Sequence, residues 1–484
     1  MHKKINQFSI IEIVFWSLSL IFLVMIIPAW LFNWPLFFTF PVILVFTYFF
    51  LFRIDKVFDF IFFITPFSIQ LSEFFPQVSF DIFLPTEPLI LALLLVFAYK
   101  MITGSGLPRA FVQHPISIAL YIYLFWLIFT SITSSMPLVS LKYVLMKIWY
   151  IGVFYFYLLN YLHKYKTFIT TIRLYVFSFA IVIMYSLIRL SGYGFNDFQA
   201  AHFVMEPFYR DHTIYGAVLA LFIPVLLSLI FRKEQKALHK IGGIYFLLLF
   251  LVALIFSYTR AAWISLLAVA ALFLLIYFKV SWKWLLSGAL LLVIVSTQLW
   301  WTIYFRMESN KQDSSSDFSE HVESITNIAT DASNLERINR WKAAWRLAAE
   351  RPGVGWGPGT YQFQYASVQF SYDKTIISTN FGDGGNAHSE YLGHLAETGW
   401  PGMFIFIGLI ASVLISGIKA LTIVDAQHYA LLFGVLLGLS TYFVHAFLNN
   451  FLDADKMAVP FWSFLAFIVY AQTFLQKNDT VNKN

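Results

Sequence analysis

Between Thr213 and Phe231 the chain reads TIYGAVLALFIPVLLSLIF, without one charged side chain, and stretches like it recur from end to end. About twenty apolar residues form a helix long enough to cross the hydrocarbon core of a bilayer. Inside that core every backbone N–H and C=O must find its partner within the protein, which leaves helices or closed barrels. Barrel strands alternate apolar and polar residues, whereas these runs are solidly apolar. The expected fold is therefore an all-α polytopic membrane protein. Composition agrees: 59% of residues are hydrophobic and 12% charged, against about 25% charged in soluble domains. There is no cysteine, which excludes disulfides, a thiolate nucleophile and a zinc–sulfur site. The net charge of +6 is scattered as short basic loops between apolar runs, a topology signal, so no nucleic acid is expected as a partner.

Candidate spans fall near 10–30, 35–52, 57–70, 86–99, 115–131, 141–160, 168–189, 213–231, 241–257, 261–279, 284–303, 400–418, 427–449 and 457–475. The short pieces at 57–70 and 86–99 read as re-entrant or tilted, so roughly 12–14 transmembrane helices are expected. No small-residue cleavage site follows the first run, which reads as a retained span. If every candidate crosses, Lys3, Lys4, Arg53, Lys56, Lys100, Arg109, Lys164, Lys166, the string FRKEQKALHK, Lys279, Lys283, Lys419, Lys477 and Lys483 share one side. The positive-inside rule makes that side cytoplasmic, with both termini there. The opposite side carries loops at 71–85, 132–140, 190–212 and 258–260 and a long one near 304–387, and function is expected on that face. The organisation reads as N-terminal transmembrane helices (1–190), central helices with outer arginines (191–303), the large outer loop with a histidine-bearing helix (304–399) and C-terminal helices (400–484). No internal repeat is evident, and DSSSDFSE reads as a mobile acidic surface segment.

Several polar groups break the apolar pattern. Arg210, Asp211 and His212 stand just before a long run, with Thr213 placed to cap the helix. They form either a solvated junction or a site where Arg210 faces an outer cavity as an anion ligand. Arg260, in FSYTRAAWISL, lies between two apolar runs. It either snorkels to headgroups or meets phosphate oxygens, for which its rigid fork is suited. Lys142 and Lys147 are too far round a helix to share one face, so one of them, Lys142, is the cavity candidate. In NLERINRWKAAWRLAAERPGVGWGPG, Leu335, Ile338, Trp341 and Trp345 recur at helical spacing, and Arg337, Arg340, Lys342 and Arg346 ring the rest. This is an amphipathic helix, lying at a membrane surface with its tryptophans at headgroup level or packed on the protein's roof. Gly355, Gly357 and Gly359 then make turns; the Gly-Lys-Ser/Thr ending of a P-loop is missing.

In NAHSEYLGHLAETGWPG (386–402), His388, Tyr391, Leu392 and Leu395 share one helical face and Glu390, His394 and Glu397 another. The helix is expected to stop at Gly399, with Pro401 beyond. His388, in its first turn, is either an interfacial histidine or a general base. The Glu–His–Glu face lacks the H-E-x-x-H pattern of metallohydrolases, and no metal is expected. His445, Asn449, Asn450, Asp453, Asp455 and Lys456 sit at the outer ends of two spans, as roof hydrogen bonds or glycan contacts.

Three strings taken together, SYTRAAW (257–263), RWKAAWRLAAERPGVGWGPGTYQF (340–363) and NAHSEYLGHLAETGWPG, resemble the O-antigen ligase superfamily of bacterial inner membranes, which includes O-antigen and exopolysaccharide polymerases. The resemblance covers roughly 190–450; the earlier spans match only as topology. It implies an all-helical, GT-C-like glycosyltransferase with an undecaprenyl-diphosphate-linked glycan as donor. The acceptor is the lipid A–core oligosaccharide at the periplasmic face or, in a polymerase, another lipid-linked glycan. It also implies inversion, no metal and no other cofactor. Arg260 matches an arginine that binds the diphosphate and His388 the histidine that activates the acceptor hydroxyl. Arg210 occupies the place of a second arginine, although YRDHTIYGA departs from the arrangement common in ligases. Arg337, Arg340, Arg346, Lys142, Glu397, Trp356 and Tyr361 are candidate substrate contacts, with Phe363 and Tyr365 as further stacking surfaces. A lipid-linked glycan transporter is the remaining reading; it would show an internal repeat or charges through the central membrane layer.

Overall fold

The computed structural model describes residues 16–17, 19–26, 28, 47–50, 53–75, 82–104, 106–162, 165–232, 236–278, 287, 332–371 and 385–476. Two compact units follow one another along the chain, residues 1–63 and 64–484. Apart from the first helix, all residues considered below lie in the second. The expected span at 10–30 is described in part, and those at 35–52 and 284–303, with the acidic segment near 313–320, lie largely or wholly outside the described residues.

The described chain is helical apart from one short antiparallel pair, Ile69–Gln70 with Phe83–Leu84. Helix α1 (Ile54–Ile64) ends in a tight turn at Thr65–Phe67 that carries Pro66, so the run at 57–70 is not one span. Then come α2 (Thr86–Ile102), α3 (Pro115–Ile132), α4 (Pro137–Ile151), α5 (Tyr165–Tyr193), α6 (His212–Ile230), α7 (Ala237–Phe256) and α8 (Arg260–Tyr277). After the long loop follow α9 (Ala332–Glu350), α10 (Tyr361–Val368), α11 (Glu390–Ile423), α12 (Ala426–His445) and α13 (Asp455–Phe474). Among the described residues eight helices are long and apolar enough to cross a membrane: α3, α4 with its continuation to Tyr161, α5, α6, α7, α11, α12 and α13. The protein is an all-α polytopic membrane protein.

Burial locates the bundle's centre. In α6 and α13 83% of the apolar window is buried, in α7 only 17%. The exposed Leu238, Ile241, Tyr245, Leu248 and Val252 of α7 form the kind of surface that faces lipid. Lipid tails are as apolar as leucine, so helices in a bilayer associate through close packing. On α12 a Cβ at Gly438 would lie 2.4 Å from the Leu221 carbonyl of α6, and one at Gly434 2.3 Å from Ser228 Oγ. Only glycine allows that approach.

The loops expected on the outer side meet at one end of the bundle. The Ser135 N–H and hydroxyl both donate to the Trp356 carbonyl at 2.9 Å, and Ser140 donates to Pro358 at 2.9 Å. Asp455 accepts from Ser68 and from Thr86, the latter at 2.6 Å. Thr259 donates to the His212 carbonyl at 2.8 Å.

Three local expectations need correction. Asp211, not Thr213, caps α6, because the helix begins at His212 and Thr213 already lies inside it, donating to the Asp211 carboxylate. His388 is not in the first turn of α11: Ser389 is the N-cap, accepting from Leu392 N–H at 3.3 Å. The helix also continues past Gly399. The backbone does leave helical geometry there (φ 72°, ψ −177°), but a second helical segment starts at once. Pro401 fits its first turn, where no N–H is needed. The kink frees carbonyls, and the turn after α9 uses them: Trp356 N–H donates to Ala396 at 3.1 Å and Gly357 N–H to Glu397 at 2.8 Å. A side chain at Gly399 would collide with the Pro352 and Gly353 carbonyls at 2.6 Å. Gly399→Ala should therefore cost about 1–3 kcal/mol, measured as thermal unfolding of the purified protein in detergent; an unchanged melting temperature would refute the tight docking of this turn.

Candidate functional site

The gathered loops enclose a polar cavity of about 440 Å³. Lys142, Arg210, Tyr361, Glu397, Glu390 and Asp453 line it, with Gln70, Gln362, Asn386 and Asn450 supplying amides. A neighbouring cavity of about 210 Å³ shares Gln70, Phe83, Arg210, Asn386, Asn450 and Asp453 and adds Asp211 and Lys456. Of the two lysines on α4, Lys142 is exposed to the larger cavity, whereas Lys147 is 1% exposed and donates to the Leu452 carbonyl at 2.8 Å. Burial raises the Asp453 carboxyl above its ordinary range; nearby Lys147 opposes this and Glu390 adds to it.

The Glu390–His394–Glu397 face is used in the wall. Glu390 Oε1 accepts from the Tyr442 hydroxyl at 2.8 Å and from Phe451 and Leu452 N–H at 3.0 Å each. His394 pairs with the Tyr123 hydroxyl at 2.9 Å and with the Glu390 carbonyl at 2.6 Å. Glu397 accepts from Tyr361 N–H at 3.1 Å, fixing the start of α10.

His388 lies beside the larger cavity without lining it. Asn386, Ala387 and Ser389 face that cavity, while His388 takes the left-handed backbone conformation, φ 47°. A non-glycine residue holds such a conformation only where its surroundings over-determine it, and they do. His388 N–H donates to Asn386 Oδ1 at 3.0 Å, its carbonyl accepts from Trp341 Nε1 at 3.3 Å, and its ring Nδ1 meets Asn449 Oδ1 at 3.3 Å. Burial, reinforced by Arg337 and Arg340, lowers its pKa to about 3; Asn449 and Asp211 pull weakly the other way.

Arg260, half-buried, opens α8 after a left-handed Tyr258 (φ 49°). The following Ala261 has its main chain beside His445. His445 Nε2 meets Asn449 Nδ2 at 3.1 Å, and Asn449 reaches His388. Arg260 and His388 are thus at the same end of the bundle, one short run of contacts apart. Arg337 lies within electrostatic reach of both His388 and His445.

The other candidates hold the roof. Arg340 pairs with Glu336 at 2.9 Å, donates to the Asn386 carbonyl at 3.0 Å and stacks on Tyr365 at 4.9 Å. Arg346 donates to the Val368 carbonyl at 2.9 Å and lies over Phe370 at 4.0 Å. Trp356 donates to the Leu347 carbonyl at 3.0 Å beneath Arg351. Tyr361 joins both groups, lining the cavity and donating its hydroxyl to the Arg340 carbonyl at 2.8 Å. Phe363 is exposed and Tyr365 buried. Helix α9 packs on the protein through Ala343, Ala344 and Leu347 against Tyr361, Tyr365, Ala387 and Ala396, with the half-exposed Trp345 set edge-on to Trp400 at 5.4 Å. Sequence reasoning leaves Asn449 and His445 open between roof hydrogen bonds and glycan contacts. The available signal was a short polar loop between two outer span ends.

The depressed His388 pKa has a consequence for acid stability. Between pH 6.5, the imidazole's ordinary value, and about 3, the unfolded chain binds a proton there that the folded chain refuses, so stability falls as pH falls through this window. His388→Asn should lose less thermal stability than the parent between pH 7 and pH 4; identical losses would show that the imidazole is not held neutral.

No curated protein matches the chain. Residues 244–407 match the family model described as O-Antigen ligase, a segment that holds Arg260, α9, His388 and the Gly399 kink and leaves Arg210, Lys142, His445 and Asn449 outside. Over that segment, about a third of its length, the chain is similar to the O-antigen ligase family.

Proposed function

We propose that this protein is a glycosyltransferase that moves a glycan from an undecaprenyl-diphosphate carrier to a hydroxyl of the lipid A–core oligosaccharide, at the periplasmic face of the inner membrane. The observation that carries this reading is His388: a neutral imidazole locked in a left-handed turn, beside Arg337 and one run of contacts from Arg260. The end where the loops gather is the periplasmic one on this reading, since the basic loops belong to the other end.

In the reaction the acceptor hydroxyl oxygen attacks the anomeric carbon opposite the diphosphate. The bond between the anomeric carbon and the diphosphate oxygen breaks, its electron pair stays on that oxygen, and His388 takes the hydroxyl proton. Back-side attack inverts the anomeric centre. Arg260 and Arg210 stabilise the charge growing on the leaving diphosphate, most strongly where water is excluded. The diphosphate also offsets the positive field of Arg337, which together with Arg340 and burial depresses the imidazole's pKa. Donor binding therefore moves His388 back toward useful basicity. The hydroxyls, amides and carboxylates of the 440 Å³ cavity, on the other flank of the same turn, suit sugar hydroxyls.

Deleting the gene tests the acceptor. Loss of polymer from lipid A–core with lipid-linked polymer accumulating supports the ligase reading; persistence of single repeat units on the core means the acceptor is another lipid-linked glycan. His388→Ala should abolish transfer with the protein's amount and insertion unchanged, and normal transfer would remove His388 from the chemistry. Arg260→Lys keeps the charge but loses the planar fork. A rate loss of about tenfold or more is expected, corresponding to roughly 1.4 kcal/mol, and full activity would show that the fork is not used.

A further inference from the structure

We infer that Asn449, backed by His445, is the positioning residue that fixes the ring orientation and tautomer of His388. The inference rests on His388 being the base. A base must present an unprotonated nitrogen to the acceptor, and a neutral imidazole has one N–H and one lone pair. Which nitrogen carries the proton is set by the partner of the other one. Here the partner of Nδ1 is the Asn449 carbonyl oxygen, at 3.3 Å. An amide oxygen only accepts, so Nδ1 keeps the hydrogen and the lone pair is left on Nε2.

The Asn449 amide has a second partner. It is 2% exposed, and its nitrogen faces His445 Nε2 at 3.1 Å. The amide nitrogen only donates, so it requires the lone pair of His445 on Nε2. A reversed amide would donate to His388 Nδ1 and force the proton to Nε2, disabling the base. His445 is 1% exposed and its ring lies against the main chain of Ala261, next to Arg260. The chain of contacts thus ties the orientation of the base to the start of the helix that carries the diphosphate-binding arginine.

The charged and titratable groups facing His388 come from each neighbouring element: Arg337 and Arg340 from α9, Asp211 from the start of α6, and His445 behind Asn449 on α12. Asn449 is hydrogen-bonded to the His388 ring itself. Replacing the neutral amide by a carboxylate keeps an acceptor at Nδ1 and adds a negative charge in contact with it, which favours the imidazolium.

The test uses full-length protein in detergent-solubilised membranes of the producing strain, which supply their own lipid-linked donor and acceptor. Glycan-transfer rates are followed from pH 3 to 9. Asn449→Asp should stay active while the acid limb of its pH profile moves up by about one unit or more. Asn449→Leu, which leaves the ring unheld, should slow transfer by about a hundredfold or more, with His445→Ala falling between it and the parent. An unmoved limb in Asn449→Asp, or a rate within threefold of the parent in Asn449→Leu, overturns the inference. If Asn449→Leu is not recovered as folded protein by size-exclusion chromatography, the Asn449→Asp limb decides, because a structural role alone does not shift a pH profile. His388→Ala in the same assay separates the two ideas: activity there removes the base itself, whereas inactivity there with normal Asn449 variants removes only the positioning role.

Discussion

A buried guanidinium ties the extramembrane roof to the bundle. Arg340 and its partner Glu336 are both almost fully buried, and taking two charges out of water is expensive unless every remaining donor and acceptor is used. The surroundings meet that condition closely. Glu336 also accepts from the Tyr365 hydroxyl at 3.1 Å, and Arg340 spends its remaining reach on the Asn386 carbonyl and the Tyr365 ring. Its own carbonyl holds Tyr361. Three separate segments (α9, α10 and the turn before α11) are therefore locked to one side chain. Removing it would take the guanidinium away from a buried carboxylate, so the turn that carries His388 depends on a residue that lines neither cavity.

Much of this arrangement was legible because a bilayer allows so few solutions. Solid apolar runs have to be helices, and their alternation with basic loops groups the remaining loops at one end. The loops placed together on that ground, at 132–140, 190–212, 258–260 and the end of the long one, do meet. Local geometry was harder to read. GWPG looks like a helix stop because glycine followed by proline ends helices in water. Here the carbonyls that the break exposes are taken up by Trp356 and Gly357 N–H, some forty residues earlier, so the chain can resume its helix at once. No local pattern encodes a partner that far away.

The same limit explains α9. Its large apolar residues, Leu335, Ile338, Trp341 and Trp345, suggest one buried stripe. The face that packs most closely is instead the small one, Ala343, Ala344 and Leu347, accompanied by the Arg340–Glu336 pair. Side-chain size misleads because close approach, not apolar area, is what the neighbouring Tyr361, Tyr365, Ala387 and Ala396 require. Arg340 read from sequence as a cation ready for phosphate, since nothing nearby in the chain reveals that Asn386 and Tyr365 enclose it.

The turn at 386–389 shows how little backbone is needed to divide two environments. In an ordinary helical first turn, His388 would point along the same broad face as Tyr391 and Leu392, and the residues on either side would fan out around it. The left-handed conformation reverses its direction instead. Asn386, Ala387 and Ser389 are left facing the cavity of carboxylates, amides and hydroxyls, and the imidazole is turned toward Asn449 and the arginine side. A single wall four residues long thus has a polar cavity, with the cations Arg210 and Lys142 in its lining, on one side and the imidazole on the other. The strain in that turn is offset by the Asn386, Trp341 and Asn449 hydrogen bonds, so the partition and the orientation of the imidazole stand or fall together.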